Sequence, residues 1–140
     1  MNSKANLVMV FGVFDLLHDG HRHFLLEAKK LAGKLIVAVA PDSIVANLKG
    51  RQPRNSLSIR IKNLEAKNLA DSIVVGDTAL GNWNVINRYA PDVIALGYDQ
   101  KELAETLQHF MLQNHITTRI VFIEPYKDGT LHSHILSQKI

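Results

Sequence analysis

No cysteine occurs among the 140 residues. Disulfides, thiolate catalysis and cysteine-ligated zinc are therefore excluded, and a reducing cytoplasm is the natural setting. Long apolar runs are missing too. The longest, Leu35–Ala40, spans six residues, too few for a membrane-crossing helix. The amino end carries one lysine and runs into an apolar segment that ends at Phe14, with no small-residue cleavage site following it, so no secretory signal is expected. Charge of one sign is not in large excess: 16 Lys and Arg against 13 Asp and Glu leave a net +3. That surplus is dispersed and does not by itself call for nucleic acid; an anionic small molecule suits it as well. Internal repeats and low-complexity segments are absent. What remains is 46% hydrophobic and 21% charged, the composition of a globular chain with a core, and its length suits one domain over residues 1–140.

Short apolar runs alternate with helical stretches. Strands are expected at Leu7–Phe11, Leu35–Ala40, Ser72–Val75, Val93–Leu96 and Arg119–Ile123. Between them, helices are expected at His21–Ala32 (stopped by Gly33), Asp42–Leu48 (capped by Asp42), Ser58–Asn68, Trp83–Tyr89 and Gln100–Asn114, with a last one at Thr130–Ile140. Strands of continuous apolar character are buried on both faces. Their alternation with helices implies right-handed βαβ units. The predicted fold is α/β, a doubly wound, Rossmann-like parallel sheet of five strands. Ligands of such sheets bind beyond the carboxyl ends of the strands, where strand order reverses. If the first three strands run outward one way and the last two the other, the reversal lies between strands one and four. Gly12–His21 and Gly97–Gln100 then face each other across the crevice.

The first of these segments ends in a helix start, where free N–H groups and the helix dipole favour anions. Gly12 allows backbone to approach a phosphate, and Gly20 a tight helix entry. His18 and His21, three apart, straddle the helix start, where each imidazole can donate to a phosphate oxygen. Metal binding by His18, His21 and His23 is a competing reading. His21 and His23, two apart, point to different sides of a helix, so no protein-held metal is assigned. No Gly-Lys-Ser/Thr of a Walker loop follows. Lys49, Arg51 and Arg54 place three cations within six residues, in a loop that follows strand two and so lies near the crevice, suited to phosphate. Gly97 permits a sharp exit from the fourth strand. Asp99 can accept from hydroxyls or cap the next helix. Tyr98 can stack on a ring or cover the sheet, and Trp83 reads as a packing residue.

Gly12, Phe14, Asp15, His18, Gly20 and His21 reproduce Gly-x-Phe-Asp-x-x-His-x-Gly-His. This resembles the signature of the cytidylyltransferase-like nucleotidyltransferases, a family of nucleotide-binding α/β folds that includes glycerol-3-phosphate cytidylyltransferases, pantetheine-phosphate adenylyltransferases and archaeal-type FAD synthetases. The likeness extends over nearly the whole chain. It implies transfer of a nucleoside monophosphate from a nucleoside triphosphate to a phosphate-bearing acceptor, with release of pyrophosphate and with Mg2+ accompanying the triphosphate. It further implies His18, His21 and Lys49 as catalytic groups. The nucleotide would be held by Gly12, Val13, Phe14, His18, Gly20, His21, Gly97, Asp99, Lys127, Thr130 and Ser133, and the acceptor by Asp15, Lys49, Arg51 and Arg60. A homodimer is the state the family suggests, with neither nucleic acid nor membrane as partner.

The turn Gly97-Tyr98-Asp99-Gln100 resembles the archaeal-type FAD synthetase branch, which points to ATP and FMN. CTP-dependent transfer to glycerol 3-phosphate is the alternative within the class, and a nucleotide-binding module without chemistry or a flavodoxin-like carrier are alternatives outside it. Where the family carries Arg-Thr-x-Gly-Ile-Ser-Thr-Thr-Lys-Ile, this chain reads Tyr126 to Ile135 with Lys127 beside the arginine position and Leu131 and His132 at Ser/Thr positions. His132 and His134 read as an exposed helix face.

Overall fold

The computed structural model describes residues 5–78 and 82–126. Five strands form one sheet: β1 (Ala5–Gly12), β2 (Ala32–Val39), β3 (Ser72–Val75), β4 (Val93–Gly97) and β5 (Arg119–Ile123). The connecting helices are α1 (Asp19–Lys29), α2 (Asp42–Lys49), α3 (Leu57–Lys67), α4 (Asn84–Tyr89) and α5 (Lys101–Gln113). All pairings are parallel, and the strand order is β3-β2-β1-β4-β5. Order reverses between β1 and β4, as the sequence implies. The last predicted helix, at residues 130–140, lies outside the described residues.

Two apolar layers sandwich the sheet, and the strands supply them by alternation. Val8 and Val10 of β1 join one layer with Leu25 and Ala28 of α1 and Leu64 of α3. Met9 and Phe11 join the other with Ile86 of α4 and Leu107 of α5. Trp83 is buried in the second layer, its ring edge-on to Phe11 at 5.2 Å, a packing residue as expected.

The differences from expectation lie at element ends. Helix α1 begins two residues early because His18 caps it, and Gly33 is not its stop but the second residue of β2. Pro41, not Asp42, stands at the N-cap of α2. The Asp42 carboxylate is instead turned to Arg60. Gln100, not Asp99, occupies the N-cap of α5. Among the described residues, no helix is long and apolar enough to cross a membrane.

Candidate nucleotide site

The turn from β1 to α1 is built under strain. Phe14 and Leu16 have φ of 54° and 53°, in the left-handed region that L residues with bulky side chains avoid. The left-handed kink folds the Phe14 ring back over the strand end. A Cβ on Gly12 would lie 2.7 Å from that ring, so the glycine is required by the aromatic side chain two residues on. Phe14 is buried and packs at 5.6 Å from the His21 ring.

His18 and His21 cap α1 together. The backbone N–H of Gly20 donates to His18 Nδ1 at 3.0 Å, and the N–H of His18 donates to His21 Nδ1 at 3.2 Å. This is the reciprocal arrangement of a capping box, made from two imidazoles in place of the usual hydroxyl and carboxylate. An imidazole that accepts at Nδ1 carries its proton on Nε2 when neutral. Both rings are therefore fixed in the tautomer that donates from Nε2. They stack at 4.0 Å and 29°, but on different levels: His18 is exposed, whereas His21 is buried beneath it. A Cβ on Gly20 would come within 2.9 Å of the His18 ring. Gly20 is thus the seat on which His18 rests.

Asp15, expected at the acceptor, clasps the basic loop. Its two carboxylate oxygens accept from the N–H groups of Arg54 (2.6 Å) and Asn55 (3.0 Å). The side chains of Arg51 and Arg54 are exposed, and the backbone of Arg54 is tied through Asp15 to the β1–α1 turn. Lys49 is the last residue of α2; its side chain lies outside what the structure describes.

Arg60, also expected at the acceptor, is placed differently. It is fully buried. Its guanidinium donates to the carbonyls of Val13 (2.9 Å), Ala40 (2.8 Å) and Asn55 (3.1 Å) and to the Asp42 carboxylate (2.6 Å). Four of its five N–H groups thus serve the protein's own chain. Arg60 pins the segments after β1 and β2 and the starts of α2 and α3, and so forms the wall behind the crevice. The Val13 carbonyl is one of its acceptors.

Across the crevice, Gly97 ends β4 and Asp99 is exposed. Tyr98 is exposed and stacks on Phe122 of β5 at 6.2 Å. Gln100 carries a role that its sequence position gave no sign of: its side-chain amide bridges the ends of β1 and β4. His23 stands apart from the other two histidines. Its Nε2 lies 3.1 Å from the Glu124 carbonyl, and its ring packs beside Tyr126. Among the described residues, no group of three His, Asp or Glu side chains is placed to hold a metal ion. Lys127, Thr130 and Ser133 lie outside the described residues.

Displaced carboxylate titration occurs away from this crevice. The Lys29 ammonium and the Leu35 N–H hold the Asp71 carboxyl below its ordinary range. Lys30 does the same for Glu27.

Residues 9–135 match the cytidylyltransferase-like family. The chain is 37% identical over 142 aligned residues to the FAD synthase of Thermococcus sibiricus, an alignment covering 100% of this chain and 96% of that one. It is 39% identical over 134 residues to the FAD synthase of Pyrococcus horikoshii, covering 94% and 90%. Among solved structures, a lipopolysaccharide core biosynthesis protein from Thermoplasma volcanium superposes with a TM-score of 0.79 at 36% identity, covering 88% of this chain and 99% of that one. A pantoate-beta-alanine ligase from Francisella tularensis shares the fold at a TM-score of 0.65 and 14% identity, over 99% of this chain and 67% of that one.

Proposed function

The chain belongs to the cytidylyltransferase-like family, a nucleotidyltransferase enzyme by that membership, and on this premise we infer that it transfers the adenylyl group of ATP to FMN, the FAD synthase reaction. A phosphate oxygen of FMN attacks the α-phosphorus of ATP in line. The bond from that phosphorus to the oxygen bridging to the β-phosphate breaks, pyrophosphate leaves, and FAD is the product. No covalent enzyme intermediate is needed, so the chain's work is positioning and charge stabilisation.

The observation that carries this reading is the imidazole-capped start of α1 at the switch between β1 and β4. His18, exposed and locked with its donor on Nε2, is proposed to meet the triphosphate where negative charge builds. His21 is assigned to holding His18 from below and to donating through its own Nε2. Gly12, Val13, Phe14 and Gly20 shape the turn against the nucleotide, and Gly97 and Asp99 face it from the end of β4 and the turn after it. Lys49 and Arg51 are assigned to the phosphate of the acceptor, and Lys127, Thr130 and Ser133 to the triphosphate. Asp15 acts through the loop it clasps. Arg60 acts through the wall it builds, in place of the direct acceptor contact expected of it. Magnesium belongs to this reading as part of the Mg–ATP substrate, where it neutralises phosphate charge. The reading also takes residues 1–140 as one cytoplasmic domain that pairs as a homodimer.

The test is purified protein with Mg2+ and each pairing of ATP or CTP with FMN or glycerol 3-phosphate, followed by FAD chromatography and pyrophosphate release. FAD and pyrophosphate formed in equal amounts from ATP and FMN alone is the expected result. Activity only with CTP and glycerol 3-phosphate would replace this reading with the cytidylyl one. Nucleotide binding with no pyrophosphate in any pairing would leave a binding module. Light scattering checks the dimer.

A further inference from the structure

The sheet splits along one line only. On its β2 side, β1 stays paired as far as Gly12 opposite Val39. On its β5 side, β4 stays paired as far as Gly97 opposite Ile123. Between β1 and β4, pairing stops at Val10 opposite Ala95. The two central strands therefore part over their last two residues, at the crevice.

In a parallel ladder, a carbonyl meets the N–H one residue beyond its own partner. The intact side of this sheet follows that rule. Gly12 faces Val39, and the Ala40 N–H donates to the Gly12 carbonyl at 2.9 Å; Val39 faces Val75, and the Gly76 N–H donates to the Val39 carbonyl at 2.9 Å. Continuing the β1–β4 register by one step puts Phe11 opposite Leu96. The next ladder bond would then run from the Gly97 N–H to the Phe11 carbonyl. Both groups instead bond to one side chain. Gly97 N–H donates to Gln100 Oε1 at 2.9 Å, and Gln100 Nε2 donates to the Phe11 carbonyl at 2.9 Å. The orientation of the amide is fixed by its partners, since an N–H can only face its oxygen and a carbonyl only its nitrogen.

We propose that Gln100 is a spacer and a positioning residue: its side-chain amide replaces the Phe11–Gly97 ladder bond with two hydrogen bonds in series and so holds the β1–β4 crevice at the width the nucleotide requires. A primary amide suits this work because it presents the same donor and acceptor as the peptide group whose place it takes. Neither strand end is left with an unpaired polar group. The role of the width in catalysis rests on the nucleotidyl-transfer reading above; the widening itself does not.

Two variants test it. Gln100→Met keeps the side-chain length and removes both polar ends. The expected result is a crystal structure with Gly97 bonded directly to Phe11, and a KM for Mg–ATP raised about tenfold or more while kcat falls less than about threefold. Gln100→Glu still accepts from Gly97 but at neutral pH turns a carboxylate toward the Phe11 carbonyl. Its KM for Mg–ATP is expected to rise likewise and to recover as pH falls, because a protonated carboxyl regains the donor; the wild type has no such recovery. Should Gln100→Met not fold, the acid recovery of Gln100→Glu decides. An unchanged KM with unchanged strand separation in Gln100→Met, or no recovery in Gln100→Glu, overturns the proposal. If the wild type forms no FAD, the functional reading fails alone. The spacer is then judged by strand separation and by calorimetric Mg–ATP affinity, which must fall in Gln100→Met.

Discussion

The imidazole of His18 lies on that of His21 with 4.0 Å between ring centres, and each accepts a backbone N–H at Nδ1. One ring is exposed and the other buried, so replacing them has different consequences. Removing the exposed one takes away a donor and the N-cap that accepts the Gly20 N–H. Removing the buried one takes away the support of that donor and a cap.

His18→Ala is expected to lower kcat for FAD formation by about a hundredfold or more, the usual loss on removing one preorganised donor, and to cost about 1 kcal/mol of stability through the lost N-cap. His21→Ala is expected to lower kcat comparably and also to cost roughly 1–2 kcal/mol of stability through the lost cap and the void beneath His18. Rate assays with urea unfolding of both variants and of the double variant check this. The double variant should be little slower than either single one, because the rings act as a unit. An additive loss would sink the stacked-pair account.

Arg60→Lys is expected to destabilise the fold by about 3 kcal/mol or more. One ammonium cannot reach four acceptors spread over a planar fork, and the buried carbonyls left bare each cost about 1–3 kcal/mol. Urea midpoints measure it. A direct contact to the acceptor predicts the reverse pattern, a raised KM for FMN with stability unchanged.

Gly20→Ala replaces a poor helix former in the first turn of α1 by a good one, yet its methyl would lie 2.9 Å from the His18 ring. The expected outcome is a thermal midpoint close to that of wild type with kcat lowered about tenfold, as the displaced ring misses its target by a fraction of an ångström. Full activity in this variant would mean that the seat beneath His18 is not needed.

Asp71 gives a pH signature separate from the site. Its carboxyl is held below the ordinary value of 3.8, first by the Lys29 hydrogen bond and then by the Leu35 N–H. A carboxyl depressed in the folded state stabilises above its unfolded pKa, and that contribution fades as pH falls through the lower folded value. Asp71→Asn should therefore melt below wild type at pH 7, with the gap closing below pH 3.8. The side chains of the pair are each 39% exposed, so the gap is small. Paired melting curves across pH measure it.

The architecture was legible because its signals are local. Leu35–Ala40 and Val93–Leu96 are continuous apolar runs bounded by breakers, and such runs read as buried parallel strands from a few residues alone. The six signature residues from Gly12 to His21 are likewise close together in the chain. Arg60 was misplaced because an arginine is ordinarily a surface or ligand-facing cation. Its burial depends on acceptors 5, 18, 20 and 47 residues away, which no local pattern reveals. The double imidazole cap was half visible: the spacing of three announced it, but that spacing also fits two rings side by side at a phosphate. Gln100 was hidden for another reason. Its partners are backbone groups, and every residue has those.

The left-handed residues Phe14 and Leu16 set a limit on how far this chain can be hardened. At exposed Leu16, glycine would relieve roughly 1–2 kcal/mol of steric strain. A lineage moving to hotter surroundings would find that change the easiest to make. It would also slacken the bend that brings His18 to its post, so thermal endurance and turnover are set against each other within a single turn of backbone.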